Sequence, residues 1–304
     1  MSQVAETVIN YTTNSMNTEN TMNTVLGQTE NVNKYANYHF VMKTVQSPTF
    51  RSLIEALKDM IQDGILECSP KGMKLESTDV CATYLVCLNL IGSEFEEYYC
   101  DGNHSLGVNM SDLYKTIKSI ESDDTLSLMI EKNDSEKLIV RIDNSEKNKM
   151  KISRINLLDI TKDDATTIPP ELFNSTIRMP SKDFQSICRD MSSIEATIVD
   201  IQCVDKVFSI EGEGEVGTQK ITLGEPRKSL GVQNGLQFVK NEHPDEIKQG
   251  YYSLRSLLLF TKCTGLDNYV EILLKNNFPL IIKYDINTLG EIKLCLSPNE
   301  NKKK

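Results

Sequence analysis

The chain lacks most of the features that tie a sequence to one chemistry. No stretch of about 18 consecutive apolar residues occurs, so no membrane-spanning helix is expected. The N-terminus does not show the basic-then-apolar order of a secretory signal. Eight cysteines, Cys68, Cys81, Cys87, Cys100, Cys188, Cys203, Cys263 and Cys295, are scattered without a C-x-x-C pair. Most stand among apolar residues and read as reduced, buried thiols of an intracellular protein. Only three histidines occur, His39, His104 and His243, far apart in sequence and without cysteine clusters, which argues against zinc. Phosphate-binding loops, H-E-x-x-H and recognisable Ser or Cys nucleophile motifs are missing too. The expectation is a non-enzyme with no catalytic residue, no metal and no cofactor.

What is present is ordinary globular material. Of 304 residues, 39% are hydrophobic and 25% charged. That length suits two domains of roughly 100–150 residues, each with its own core. A net charge of −10 opposes a polyanionic partner unless the cations are gathered on one face. The run Glu211-Gly212-Glu213-Gly214-Glu215 lacks the Asp and Asn ligands that hard-cation loops add at set positions. It reads as a solvated hairpin or strand end.

Residues 1–37 are rich in Asn and Thr, with almost no apolar periodicity, and read as a disordered tail. Order begins near Tyr38 with a strand, His39–Val45. Ser47 followed by Pro48 looks like a cap and first helical position, and residues 50–61 have apolar spacing typical of a helix. Short strands follow, with turns at Ser69–Gly72 and Asp101–Asn103. A second helix is expected over about Ser111–Ile120, then strands at Thr125–Glu131 and Lys137–Asp143. A polar stretch from Thr161, ending in Pro169-Pro170, reads as a linker. Beyond it the pattern recurs: a helix capped by Ser181, strands at Ala196–Cys203 and Lys206–Ile210, a helix from Ser253 to about Cys263, and further strands. The recurrence, roughly 135–145 residues apart, marks a duplicated domain rather than a solenoid.

Cations recur on these helices at helical spacing. Arg51 and Lys58, Lys182 and Arg189, and Arg255 and Lys262 are each seven residues apart, so each pair shares an exposed face opposite apolar residues. The remaining helix carries Lys115 and Lys118. On one helix such a pair is an ordinary solvated face. Four helices in two repeats of an acidic chain suggest a sequence-blind phosphate track.

The residues at this point resemble the sliding clamps of the proliferating-cell-nuclear-antigen type. The likeness rests on Leu53-Ile54-Glu55-Ala56-Leu57-Lys58-Asp59, Leu75-Glu76-Ser77-Thr78-Asp79 and Gly107-Val108-Asn109-Met110. Met179-Pro180-Ser181 with Phe184 and Ile187-Cys188-Arg189-Asp190, Leu254-Arg255 with Phe260-Thr261-Lys262, Pro279-Leu280 and Leu296-Ser297-Pro298 extend it. It runs in order from about Tyr38 to Pro298.

The resemblance implies a duplicated α+β clamp fold, with two helices per domain packed on antiparallel sheets. The implied domains are 38–156 and 171–298, joined by a connecting loop at 157–170 and followed by a basic tail at 299–304. It further implies a homotrimeric ring around double-stranded DNA, opened by a clamp loader and bound by DNA polymerase at intracellular replication sites. Arg51, Lys58, Lys115, Lys118, Arg189, Arg255 and Lys262 fall on family positions facing DNA. Ring closure would pair edge strands near Lys149–Asn156 and Thr218–Leu223, with Ile152 and Ile155 meeting Ile221 and Leu223. A partner-peptide pocket would involve Thr78, Thr83, Ile168, Pro279, Cys295, Leu296 and Ser297. Thr78, Thr83 and Cys295 are smaller or more polar than is usual there. The acidic C-terminal end common in the family is replaced by Lys302-Lys303-Lys304. Two alternatives remain open: a subunit of a heterotrimeric checkpoint-type ring, and a monomeric DNA-binding accessory factor. The divergence and the Asn-rich tail would suit a large DNA virus or a protist.

Overall fold

The computed structural model describes residues 34–79, 81–160, 173–226 and 235–299. One order of elements runs through the chain twice. The first half comprises β1 (Tyr38–Thr44), α1 (Ser47–Met60), β2 (Asp63–Ser69), β3 (Gly72–Thr78), β4 (Tyr84–Ile91) and β5 (Glu97–Cys100). It continues with β6 (His104–Asn109), α2 (Met110–Ile117), β7 (Thr125–Glu131), β8 (Asp134–Asn144) and β9 (Lys149–Asn156). The second half repeats this as β10 (Ser175–Pro180), α3 (Ser181–Ser193), β11 (Ile198–Val204), β12 (Val207–Gly214), β13 (Gly217–Gly224) and β14 (Gln237–Asn241). Then come β15 (Lys248–Ser253), α4 (Leu254–Phe260), β16 (Tyr269–Leu274), β17 (Leu280–Asp285) and β18 (Gly290–Leu296). A 3-10 turn, Thr261–Gly265, extends α4.

The strands form three antiparallel sheets. One has the order β5-β1-β7-β8-β9, one β14-β10-β16-β17-β18-β4-β3-β2-β6, and one β13-β12-β11-β15. Cutting the nine-stranded sheet between β18 and β4 leaves two sets that match the two smaller sheets strand for strand. In the repeat, β9 therefore corresponds to β18, and β13 to β4. Within the chain β18 and β4 are zipped in register from Gly290 opposite Leu90 to Leu296 opposite Tyr84. This is the joint between the halves. At its start Gly290 has φ +150°, and a Cβ there would lie 2.0 Å from the Asn89 carbonyl oxygen, so only glycine allows the approach.

Sequence pattern and burial agree along these elements. In α1, Phe50, Leu53, Ile54, Ala56, Leu57 and Met60 are buried on one stripe, with Pro48 in the first turn. In α3, Phe184, Ile187, Cys188 and Met191 do the same. Along β18, Ile292, Leu294 and Leu296 face the core, each contributing about 1.5–3 kcal/mol by burial. Glu211–Gly214 belong to β12 and hairpin onto β13, the strand end expected for that run. Among the described residues no helix is long and apolar enough to cross a membrane.

Three expectations change. Ser47 and Ser181 do not cap α1 and α3. Each is buried at the first helical position, and its hydroxyl donates to a distant carbonyl 2.5 Å away, Asp124 for Ser47 and Asp267 for Ser181. The accepting loops lead into β7 and β16, so the duplicated serines pin each first helix to the same strand of its half. Side-chain caps occur on the second helices instead, where Asn109 accepts from the Asp112 N–H and Ser253 from the Ser256 N–H. The helix limits also differ: α2 ends at Ile117, and Lys262 sits on the 3-10 turn beyond α4. Finally, Lys34 and Tyr35, expected in the tail, are held by the first domain, Lys34 by an ion pair with Glu97 at 2.7 Å. The Tyr35 ring stacks on Tyr99 at 4.5 Å and its hydroxyl donates to Glu97 at 2.7 Å.

Removing either serine hydroxyl orphans a carbonyl at a buried site. Ser47→Ala and Ser181→Ala are each expected to cost about 1–3 kcal/mol, additively because they lie in different halves. Urea unfolding of the single and double variants tests this. Losses within a few tenths of a kcal/mol would show that the hydroxyls hold nothing.

Candidate nucleic-acid interface

The four helices pack into one contiguous row. Helix α2 packs on α1, α1 packs across the halves on α4 and its 3-10 turn, and α4 packs on α3. Two contacts fasten the row where the halves meet. The Tyr84 hydroxyl, from β4 at the joint, donates to the Met60 carbonyl at 2.7 Å, and its ring meets Phe260 edge-on at 5.4 Å. Lys262 from the second half forms an ion pair with Asp59 of α1.

Six of the eight sequence-predicted cations lie on this row's helices; Lys118 directly follows α2, and Lys262 sits on the turn that extends α4. Lys115, Lys118, Lys182, Arg189, Arg255 and Lys262 are exposed. Arg51 and Lys58 are half-buried, contrary to the expected exposed face, because each has been drawn down to a partner. Arg51 donates from Nη1 to the Ile120 carbonyl at 2.6 Å, just beyond α2. Lys58 bonds Asp59 at 2.9 Å and lies 5.0 Å from the centre of the Tyr114 ring. Lys115 pairs with Asp112 at 2.7 Å. Among the described residues, no ion pair engages Lys118, Lys182, Arg189 or Arg255.

Asp59 is the acid that matters most here. Burial opposes its charge, but bonds from Lys262 and Lys58 hold its carboxyl below the ordinary carboxylate value. It stays anionic at neutral pH and cancels part of the charge of two cations at the junction of the halves. In the sequence Asp59 stands out only as the end of the α1 run that resembles the clamp family. Its partner Lys262 is 203 residues away, so its role is a tertiary one.

The two predicted edge strands are edges. β9 ends the five-stranded sheet and β13 the four-stranded one. Ile155, Ile221 and Leu223 are half-buried against the core. Ile152 is not with them. It lies three residues from Ile155 on a strand, hence on the opposite face, and is 46% exposed beside Met150. Lys151 was not anticipated: its ammonium donates to the Thr116 carbonyl at 2.7 Å and approaches the Ser119 hydroxyl at 3.2 Å, tying β9 to the end of α2.

The pocket residues divide in the same way. Cys295 joins a small apolar cluster with Leu85 and Ile281, flanked by Cys87, Phe173 and Leu273. Leu296, its neighbour, faces the main core at 0% exposure, so its side chain cannot line that patch. Thr78 and Ser297 are exposed, while Thr83 and Pro279 are half-buried. The Thr83 N–H donates to Asp79 and its carbonyl accepts from the Ser297 N–H at 3.1 Å. Ile168 lies outside the described residues. Alternation along β4, β17 and β18 supplies the patch members that the sequence reading missed.

His39 and His104, far apart in sequence, converge on Asp101. Among the described residues this is the one group of potential metal ligands.

Comparison with known proteins agrees with this architecture. Residues 39–166 match the family model for the proliferating cell nuclear antigen N-terminal domain, and residues 167–299 that for its C-terminal domain. The chain is 32% identical over 265 residues to the "Probable DNA polymerase sliding clamp 1" of Paramecium bursaria Chlorella virus 1, covering 86% of this chain and 97% of that protein. It is 31% identical over 256 residues to "Proliferating cell nuclear antigen 2" of Drosophila melanogaster, covering 84% and 96%. With both domain models matched across nearly all of the described chain, it belongs to the proliferating cell nuclear antigen family of DNA sliding clamps.

Proposed function

We propose that three copies of this chain close head to tail into a ring, with the helix row lining a hole that holds duplex DNA. The observation that carries this reading is the β4–β18 joint. The repeat leaves β13 and β9 as the unpaired counterparts of those two strands, and pairing them between copies would reproduce the joint at each subunit boundary. Ile155, Ile221 and Leu223, half-buried in one chain, would then be covered as Ile292, Leu294 and Val86 are at the joint. Such a contact is heterologous, and closes into a ring when the rotation per copy allows it.

The ring would act without catalysis. A clamp loader would open it, and DNA polymerase would dock by a peptide on the patch around Cys295, Leu85 and Ile281. Thr78, Thr83, Pro279 and Ser297 would border that patch, and their small or polar character would alter which peptides fit. The working domains are 38–156 and 171–298, acting at intracellular sites of DNA replication. Because contacts from the helix row reach phosphates only, binding would be loose and steeply salt-dependent, and topology would keep the ring on its template.

Two predictions separate this reading from others. Replacing Lys118, Lys182, Arg189 and Arg255 together with Ala is expected to weaken DNA binding uniformly across sequences. The log–log salt dependence should become shallower by up to about 0.9 per lost phosphate contact. Asp59→Asn should act oppositely, tightening binding by releasing Lys58 and Lys262. Equal affinity and slope in both variants would remove the helix row from the DNA contact.

Ile221→Asp is expected to leave each chain folded, since β13 is an edge, and to prevent closure by burying an unpaired charge at the boundary. Sedimentation velocity of the variant should show single chains. An assembled species persisting in Ile221→Asp would place the subunit contact elsewhere.

A further inference from the structure

We propose that His39, Asp101 and His104 form a binding site for a divalent metal ion of the zinc type, at a corner of the first domain where two sheets adjoin. His39 lies in β1 of the five-stranded sheet, and His104 opens β6 at the edge of the nine-stranded sheet. Asp101 sits between them in the β5–β6 turn, its N–H donating to the His39 carbonyl at 3.0 Å. The histidines approach the carboxylate from its two oxygens: His39 Nδ1 is 2.9 Å from Oδ2, and His104 Nε2 is 2.6 Å from Oδ1. The two imidazole centres are 4.9 Å apart.

The donor set selects the class of ion. One ligand atom from each residue lies within 4.8 Å of the others. A tetrahedral ion with bonds of about 2.0–2.2 Å needs donors about 3.3–3.6 Å apart, a change within reach of small side-chain rotations. Two imidazole nitrogens with one carboxylate suit zinc, cobalt or nickel. Magnesium and calcium call for oxygen ligands instead. The side chains of His39, Asp101 and His104 are 30%, 24% and 28% exposed, leaving a fourth position open to water. Lys132, 3.5 Å from Asp101 Oδ2, is the cation an ion would displace, and at 42% side-chain exposure it can swing into solvent. A bound ion would join the start of β1 to the start of β6. It would therefore favour the folded domain over the unfolded chain.

The test uses the untagged, chelator-stripped full chain titrated with cobalt(II) and zinc(II). One equivalent of cobalt per chain is expected, with a visible absorption band of low-symmetry four- or five-coordinate geometry that zinc then abolishes. Zinc alone should raise the melting temperature. His39→Asn and His104→Asn should each weaken cobalt binding at least about 100-fold, beyond the loss typical of an outer-shell partner. His243→Asn, at the third histidine, should leave it unchanged. Circular dichroism of each variant separates loss of the site from loss of the fold. No saturable binding, binding that survives both histidine changes, or near-ultraviolet thiolate-to-cobalt charge transfer marking cysteine ligation would each overturn the proposal.

Discussion

The structure depends on one strand pair. Where β18 lies against β4, seven residue pairs in register turn two copies of a domain into a single body. Everything useful on the other side of the sheets follows from that weld. Tyr84 reaches from it to α1 and α4, Lys262 crosses to Asp59, and the helices of both halves become one row. The same weld consumes one edge strand from each half. Among the edges that stay open, β9 and β13 are the repeat counterparts of the two welded strands. Long open edges invite association, and here the repeat itself says which edge each should meet.

The surface charge acts by placement rather than amount. The chain is acidic overall, yet its helix row carries eight basic residues at repeated positions. Several are moderated by their own neighbours: Asp59 serves two lysines, Asp112 a third, and the Ile120 carbonyl holds Arg51. A track that must slide gains nothing from maximal attraction. Under the proposed function, partial neutralisation would keep phosphate contacts weak and exchangeable, while closure of a ring would supply retention that affinity does not.

Much of this was legible because it is local. The apolar stripe of α1, the strand Thr125–Glu131 and the recurrence of the whole pattern are written in periodicity, whereas the strand at Lys149–Asn156 is placed by the family resemblance. What sequence spacing could not show is long-range pairing. Ser47 looks like a cap because caps are local, yet its partner is 77 residues away. Lys34 and Tyr35 read as tail because the strand they rest on, at Glu97 and Tyr99, comes far later. Strand period separates Cys295 from Leu296 and Ile155 from Ile152, a distinction lost when neighbours are named together as one site. His39 and His104 read as isolated because only the antiparallel register of β1 with β5, and the turn into β6, brings them to Asp101.

The central claim is that the joint inside the chain is repeated between chains. The most direct measurement is the molar mass of the purified protein by light scattering over a dilution series. The account predicts a mass three times that of the 304-residue chain, giving way to single chains only at high dilution. A single-chain mass at every concentration would contradict it, and would mean that β9 and β13 do not pair between copies of this chain.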